Sequence, residues 1–391
     1  MKTLFNIIVL MLITSWTFQA QTEIETLYSK SYETNVNTTA LLEFKGSSVE
    51  IYKSPDDKFH IEYIVEFINY PNRKKKVVRE KVNIESNLVN NQITLIDNSK
   101  FSMYRFFQFK TISSSLYLRN QSAVTSHFYK SEEAFLNEII EVTKPTPFYI
   151  RYIQNSNHLD ENEKKKSIER YKNRKHKKYK QTIKIKVPNN LSLTINAKAS
   201  TIRIQQNLEN QISLRADGGK VYANNLNNSD NVIKLKDAPL IANSINGGEL
   251  ILDNSKRTII GELKNVKLNS EFSQLEIGKI DTNVVIADFT SKYLIHNFSN
   301  DFKTLNMNTE YSEVNLFLPK NGGYQLTTFG NYTKHFVDNK AVDFPVEKNN
   351  SNTKMLDLNN KGNDNSLSNI SITAINGIIR VTKEDVINFG S

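Results

Sequence analysis

The most constraining feature of this sequence is a short phrase of alternating apolar residues that recurs about every nineteen residues. Each phrase holds two apolar residues separated by one position, a polar gap, and a second such pair, as in "VKLNSEFSQLEI" (residues 266–277). Since residues i and i+2 share one face of an extended chain, each pair predicts a short strand with one buried face. The first pairs are Leu193 with Ile195, Ile212 with Leu214, Ile233 with Leu235, Leu250 with Leu252, Val266 with Leu268, Val284 with Ile286, Leu305 with Met307, and Tyr324 with Leu326.

The spacing of these pairs indicates a repeat array. Their second members are separated by 19, 21, 17, 16, 18, 21 and 19 residues. Within a phrase the step from the first pair to the second is usually seven residues, as from Ile195 to Ile202, but Leu235 and Leu240 are only five residues apart. In repeat arrays each unit buries its apolar edge by stacking on its neighbours. We therefore predict an all-β fold: a β-solenoid, a single-stranded stack of short strands, with a small α-containing insertion.

Evenly spaced antiparallel strands, in a meander or a sandwich, are the alternative fold. Alternation alone does not distinguish parallel from antiparallel pairing. The recurring seven-residue step and the short polar turns between strands, such as "ADGGK" (residues 216–220), favour the solenoid.

The same phrase near both ends of the chain carries a resemblance to a known group of proteins. "LEFKGSSVEIY" (residues 42–52) and "ISITAINGIIRV" (residues 370–381) both show it. Together with the central phrases, they resemble exported bacterial β-solenoids grouped as "putative adhesin" or adhesin-head-like domains of unknown function. The resemblance covers residues 42–97 and 182–381. It implies an adhesin-like protein of the cell envelope and carries over no functional residues, because the pattern is one of alternation.

The first twenty residues predict export. Lys2 precedes an apolar run of about ten residues, and Ala20 is a small residue at the expected cleavage site. Such a run is too short to cross a bilayer but is typical of a secretory signal peptide, with an uncleaved anchor as the alternative. We therefore expect the protein in the periplasm, on the outer cell surface or outside the cell. The chain has no cysteine, which excludes disulfides, thiolate zinc sites and a cysteine nucleophile.

These features divide the chain into six predicted parts. They are a signal peptide at residues 1–20, N-terminal strands and a first solenoid coil at 21–97, an insertion with an aromatic strand and a basic helix at 98–181, the main array at 182–336, a polar asparagine-rich loop at 337–369, and a final coil with the C-terminus at 370–391. Within the insertion, apolar spacing and capping residues predict helices at 131–142 and at about 159–171.

The net charge of +10 is concentrated in two segments. Residues 72–81 carry a net charge of +5 and residues 161–180 a net charge of +7. The second segment predicts a surface that contacts an anionic membrane, an anionic polysaccharide or an envelope protein, and the alternative is a solvated charged helix. Nucleic acid is not expected as a partner, because the chain is exported and shows no nucleic-acid-binding motif. The residues of this predicted contact surface are Lys164, Lys165, Lys166, Arg170, Lys172, Arg174, Lys175, Lys177, Lys178 and Lys180.

Motifs that carry chemistry are absent from the sequence. The six histidines show no metal-ligand spacing, and no nucleophile elbow or phosphate-binding loop occurs. The outward positions of the array are mostly serine, threonine, asparagine, lysine and arginine, so no column of carboxylates is expected. We therefore predict no catalytic, cofactor or metal site and a non-enzymatic interaction scaffold. A polysaccharide-cleaving β-helix enzyme and a periplasmic partner in envelope signalling are the alternatives.

Overall fold

The computed structural model describes residues 22–99, 160–173, 178–189, 191–318, 323–337, 340–341, 353–360 and 367–382. Strand accounts for 68% and helix for 7%, so the all-β class is confirmed. The predicted signal peptide, the predicted helix at residues 131–142 and the aromatic segment at 101–110 lie outside the described residues. Among the described residues, no helix has both the length and the apolar character that a membrane crossing requires.

Two helices and 23 strands make up the described part. The helices are α1 (Asn72–Arg79) and α2 (Glu161–Asn173). The strands are β1 (Thr22–Glu33), β2 (Thr39–Lys45), β3 (Ser48–Lys53), β4 (Lys58–Ile68), β5 (Ile84–Val89), β6 (Gln92–Asp97), β7 (Lys178–Val187), β8 (Ser192–Ile204), β9 (Ile212–Asn227), β10 (Val232–Lys236), β11 (Leu240–Asn246), β12 (Glu249–Asp253), β13 (Thr258–Glu271), β14 (Gln274–Phe289), β15 (Lys292–Ile295), β16 (Thr304–Glu310), β17 (Glu313–Phe317), β18 (Gly323–Asn331), β19 (Lys334–Val337), β20 (Lys340–Ala341), β21 (Thr353–Asn360), β22 (Leu367–Ile375) and β23 (Ile378–Thr382).

The strands pair in two long parallel ladders. The first ladder runs β6, β2, β8, β9, β10, β12, β13, β14, β16, β22, β18, and the second runs β7, β3, β8, β9, β11, β13, β14, β15, β17, β23, β19. The long strands β8, β9, β13 and β14 bend and contribute to both ladders. As a result, five paired strands form a closed ring, in the order β9, β10, β12, β13 and β11.

We call a rung the stretch of chain that supplies one strand segment to each ladder. Ten rungs follow one another in space, from β2 with β3 (rung 1) to β18 with β19 (rung 10). Antiparallel strands cover both ends: β5, β4 and β1 lie beyond one end, and β21 and β20 beyond the other. Such covering strands blunt the exposed edges of a parallel stack, which would otherwise pair with other chains.

The core lies between the two ladders. All sixteen residues of the predicted first pairs are buried, and even Tyr324, at one end of the array, is only 5% exposed. In the first ladder Ile195, Leu214, Ile233, Leu250 and Leu268 stand in one row across successive rungs. The prediction that these pairs face a common apolar interior is therefore confirmed.

The register differs from the spacing-based prediction in the middle of the array. Leu214 is paired with Ile233 rather than with Leu235, and Leu250 with Leu268, so the steps are 19, 17 and 18 residues. Ile233 also lies seven residues before Leu240, so the five-residue exception disappears. The prediction was wrong by two residues because Leu235 is apolar as well, and an alternating run does not fix its own register.

The order of rungs at the C-terminal end also differs from the sequence order. Leu305 is paired with Ile370, and Ile370 with Leu326, so β22 and β23 lie between the rung of β16 and β17 and the rung of β18 and β19. The spacing had predicted that Tyr324 and Leu326 follow Leu305 and Met307 directly. Both alternatives bury the same residue types at the same period, so the spacing could not distinguish them.

Two further segments depart from expectation. The predicted loop at residues 337–369 contains β21, which pairs antiparallel with β18, as well as β20. Within the basic segment at residues 72–81, residues 72–79 form α1. Its basic residues contact acids of β1: Lys75 pairs with Glu23, and Arg79 Nε and Nη2 donate to Glu25 at 2.7 and 2.6 Å. Val78 of α1 is buried against the core, which holds the helix in place. The ion pairs with Glu23 and Glu25 neutralise part of the positive charge of the helix.

Candidate interaction surface

The surface begins with one backbone position that every rung repeats. Where the chain turns from the first ladder to the second, one residue of each rung has a left-handed backbone, with φ between 48° and 71°. Pairing aligns these residues along one corner of the molecule. In spatial order they are Gly46, Ala199, Gly218, Asp237, Asn254, Phe272, Thr290, Tyr311, Asn376 and Tyr332.

The inner side of this corner is a column of small and hydroxyl-bearing residues. The residue after each left-handed position turns inward, and Ser255, Ser273, Ser291, Ser312 and Thr333 are all at most 5% exposed there. The hydroxyls of Ser273, Ser291, Ser312 and Thr333 accept hydrogen bonds from backbone amides of the neighbouring rung, which fixes the turn. The corner is therefore rigid, and whatever residue occupies the left-handed position is held outward in a defined place.

The outer side of the corner changes character halfway along the stack. In rungs 1 to 5 the left-handed residues are Gly, Ala, Gly, Asp and Asn, of which glycine, aspartate and asparagine tolerate this conformation well. In rungs 6 to 10, Phe272, Tyr311 and Tyr332 occupy it, and their side chains are 49%, 54% and 63% exposed. In rungs 7 and 9 the exposed apolar side chain belongs instead to the residue just before the left-handed position, which is Phe289 or Ile375. We call these five residues the aromatic corner.

The rings of the aromatic corner contact each other. The ring centroids of Phe272 and Phe289 are 5.6 Å apart at 89°, and those of Phe289 and Tyr311 are 5.9 Å apart at 81°. These are edge-to-face pairs, in which the positive ring edge meets the negative face of the next ring. The rings thus form a continuous surface across three rungs.

The exposed aromatic residues are not spread over the molecule. Among the described residues, every exposed Phe or Tyr lies in rungs 6 to 10: the four of the aromatic corner and Phe329 on the adjacent face. Outside the aromatic corner, the other exposed large apolar residues of the described part are aliphatic, and all lie near the N-terminal end except Val285 in rung 7. Those near the N-terminal end are Ile24, Val36, Val77, Leu88 and Val89. Contiguous exposed apolar surface of this kind marks interaction sites more often than isolated residues do.

Three of the four rows of outward residues on the first ladder carry no charge in rungs 7 to 10. The fourth row, at the corner itself, holds Glu310 between Phe289 and Ile375. We call the three uncharged rows the neutral face: Asn283, Thr304, Asn369 and Gln325; Val285, Asn306, Ser371 and Thr327; Ala287, Asn308, Thr373 and Phe329. In earlier rungs the same face carries Arg215, Lys234, Glu249 and Lys267. These uncharged rows are therefore confined to rungs 7 to 10, because rung 6, which carries Phe272, still has Lys267 in one of them.

The predicted basic contact surface is only partly within the described residues. Lys164, Lys165, Lys166, Arg170 and Lys172 lie on α2, whose N-terminus is capped by reciprocal bonds between Asp160 and Glu163 at 2.8 and 3.2 Å. Lys165, Lys166 and Arg170 are exposed, and Lys164 pairs with Glu161 at 2.9 Å. Lys178 and Lys180 lie in β7, opposite Ile68 and Glu66. Arg174, Lys175 and Lys177 lie outside the described residues, so the predicted surface stays a prediction.

Two carboxylates, Glu262 and Asp281, lie close together on rungs 5 and 6, and each pairs with a lysine. Lys279 Nζ contacts Glu262 at 3.1 Å and Lys264 Nζ contacts Asp281 at 2.9 Å, as neighbours across two paired strands. Hydrogen bonds from Ser299 and Lys264 keep the pKa of Asp281 below its usual value despite burial, which opposes the shift. A glycosidase needs one carboxyl group with a raised pKa, whereas the pKa of Asp281 is lowered.

A serine, a histidine and an aspartate form a line at the N-terminal end. Ser31 Oγ lies 2.7 Å from His60 Nδ1, and His60 Nε2 lies 2.7 Å from Asp56 Oδ1. The hydrogen bond with His60 lowers the pKa of Asp56 to about 2. Ser31 is exposed on β1, the outermost strand of this end, and is the direct cross-strand neighbour of His60. The contact is therefore a cross-strand pair on an open surface, and no group of three or more metal-ligand side chains occurs among the described residues.

Comparison with known proteins returned one distant structural similarity. No family model matches the chain, and no curated protein matches it. A solved structure named a "putative cell adhesion protein" from Clostridium sporogenes is similar at 12% identity, over 94% of this chain and 100% of that chain, with a TM-score of 0.19.

Proposed function

We propose that this chain is an exported, non-enzymatic β-solenoid of the bacterial cell envelope that works as an interaction or adhesin-like scaffold. The solenoid part of the proposal is supported by the pairing between rungs, which is parallel throughout and keeps the same rows aligned across ten rungs. An elongated stack with covered ends offers its sides for contact. Such a stack presents long rows of side chains at a fixed spacing of about 4.8 Å.

The observation that carries the binding role is the aromatic corner. Phe272, Phe289 and Tyr311 expose contiguous apolar surface to water on a rigid scaffold. Exposed rings cost solubility and bring no core packing, so a binding role accounts for them better than stability does. The neutralised carboxylates of Glu262 and Asp281 support a scaffold over a hydrolase.

Two measurements test this proposal. The full chain, expressed in a Gram-negative host, is expected in the envelope or medium fraction with residues 1–20 removed, as read by mass spectrometry. The purified protein is then used in a pull-down from envelope extract. We expect captured material that is lost from a variant carrying Phe272→Asn and Tyr311→Asn. Retention of the chain in the cytoplasm would refute the proposed export. Identical capture by the variant would refute the binding role of the aromatic corner.

A further inference from the structure

We infer that the aromatic corner and the neutral face together bind an uncharged glycan chain lying along the stack, an inference that rests on the proposed interaction function. Three independent properties of rungs 6 to 10 lead to it. They are the residue types at the left-handed position, the three uncharged rows beside the corner in rungs 7 to 10, and the dimensions of the surface.

The residue types at the corner run against backbone preference. An L-residue in the left-handed region costs about 1–2 kcal/mol, whereas glycine adopts it freely. The chain uses glycine, aspartate or asparagine at the same place in rungs 1, 3, 4, 5 and 9, but Phe272, Tyr311 and Tyr332 in three of the remaining rungs. Local departures from the best-suited residue are expected where a site is selected for binding. Hence the rings are retained for what they contact outside the protein.

The chemistry beside the rings suits hydroxyl groups. Side chains of the neutral face offer amides and hydroxyls, which donate and accept hydrogen bonds without a formal charge. Asn306 and Asn308 are both exposed on one strand, and Thr373 follows on the next rung. A sugar ring presents hydroxyls at its rim and apolar C–H groups on its faces. The C–H groups pack on the negative faces of aromatic rings, and the hydroxyls bond the neighbouring amides.

The dimensions also fit an extended chain of sugars. The aromatic corner spans five rungs, so its length is about 19 Å at about 4.8 Å per step. One rung step is comparable with the length of one hexose in an extended glycan, so successive residues would meet equivalent positions of successive rungs. A glycan chain lying along the corner would thus contact Phe272, Phe289, Tyr311, Ile375 and Tyr332 in turn.

Anionic partners fit this surface poorly. An anionic glycan or lipid headgroup is recognised by Arg and Lys, and the neutral face has none. In addition, Glu271 and Glu310 lie at the position preceding Phe272 and Tyr311. A negative ligand would be repelled there, so the expected ligand is neutral.

Affinity electrophoresis of the full mature chain tests the inference. The gels contain one of four neutral polysaccharides (dextran, yeast mannan, galactomannan or mixed-linkage β-glucan) or alginate as an anionic comparison. We expect retardation by at least one neutral polysaccharide. In the Phe272→Asn, Tyr311→Asn variant the apparent affinity should fall at least tenfold. Asparagine suits the left-handed backbone and occurs naturally at Asn254 and Asn376 of the same corner, so this variant should fold.

The matched control carries Ile24→Asn and Val36→Asn, which remove exposed apolar side chains at the opposite end. It should bind as the unaltered protein does, and circular dichroism melting should show all three proteins folded. Lack of retardation in every neutral gel, retardation by alginate alone, or equal binding by the corner variant would overturn the inference. So would light scattering that shows a dimer in the unaltered protein and a monomer in the corner variant. If envelope capture depends on the corner while all neutral gels fail, the glycan is refuted and the scaffold function stands.

Discussion

The backbone N–H of Ser273 donates a hydrogen bond of 3.0 Å to Oγ of Ser291, the equivalent residue one rung further along. Ser255 makes the same bond to Ser273 at 3.0 Å, and Ser291 makes it to Ser312 at 3.1 Å. All four serines are buried. Strand pairing is interrupted at the corner, so these hydroxyls supply the acceptors that the ladder does not, and buried amides need such acceptors.

Replacing Ser291 by alanine should therefore destabilise the protein. The amide of Ser273 would lose its acceptor in a place that is closed to water, and we expect the free energy of unfolding to fall by about 1–3 kcal/mol. Urea unfolding followed by circular dichroism measures the change. Ser213→Ala, at an exposed position of β9, is the control and should stay within about 0.5 kcal/mol of the unaltered protein. Equal, small effects of both substitutions would contradict the role of the serine column.

The glycine that occupies the same inner column in rung 3 should tolerate no side chain. Gly219 has φ +85°, and a Cβ there would lie 1.9 Å from the carbonyl oxygen of Ser200. Because that oxygen belongs to the backbone, Gly219→Ala should cost more than about 2 kcal/mol by the same urea assay. Gly46→Ala is the comparison, since Gly46 has φ +71° with no atom within 4 Å of the added Cβ. It should show only the left-handed backbone cost of about 1–2 kcal/mol.

The sequence was sufficient for the apolar interior but not for the corner. Alternation identified Leu193, Ile195 and their counterparts, because burial of every second residue is what strand formation requires. The serine column and the aromatic corner lie in what looked like polar gaps. A visible signal was present: an aromatic residue followed by Ser or Thr recurs as Phe272-Ser273, Tyr311-Ser312 and Tyr332-Thr333.

The neighbours of each rung were harder to infer, for a physical reason. Rung 10 could stack directly on rung 8, or β22 could lie between them. The spacing of the apolar residues and their burial are the same in both arrangements, because Leu305, Ile370 and Leu326 are all apolar. The first rung poses the same problem: Leu42 pairs with Ile195, far along the chain. Contacts of this kind join segments that are far apart in the sequence, so no local pattern encodes them.

The pKa of Lys220 predicts a pH dependence of stability. Burial, with a smaller repulsion from Arg257 and Arg203, lowers the pKa of Lys220 from 10.5 to about 8. The unfolded chain keeps this proton up to about pH 10.5, whereas the folded chain loses it above about pH 8. Below pH 8 the folded state therefore bears the full free-energy cost of burying the charged lysine. Between pH 8 and 10.5 this cost falls, so stability rises with pH. Lys220→Met should therefore raise the free energy of unfolding at pH 7 by up to about 3 kcal/mol.

The gain from Lys220→Met should shrink as the pH is raised from 8 towards 10.5, which urea unfolding at a series of pH values measures. Lys264→Met is the control, and we expect it to change the stability in the opposite direction. The hydrogen bond to Asp281 raises the pKa of Lys264, so its charged form is favoured in the folded state and its removal should lower stability at pH 7. Stabilisation by Lys220→Met that is independent of pH would show that packing, not charge burial, causes it.

The inserted position of β22 can be tested with engineered disulfides, because the chain has no cysteine of its own. Asn306 and Ser371 are direct partners in the parallel pair of β16 and β22, so the variant Asn306→Cys, Ser371→Cys should oxidise readily, as read by mass spectrometry after thiol labelling. Gln325 would be the partner of Asn306 if the rungs stacked in sequence order in the predicted register, with Leu305 opposite Tyr324. With β22 inserted, these two residues are two strands apart, beyond the reach of a disulfide at about 7 Å between Cα atoms. The pair Asn306→Cys, Gln325→Cys should therefore stay reduced, and its oxidation in place of the first pair would mean that the rungs stack in sequence order.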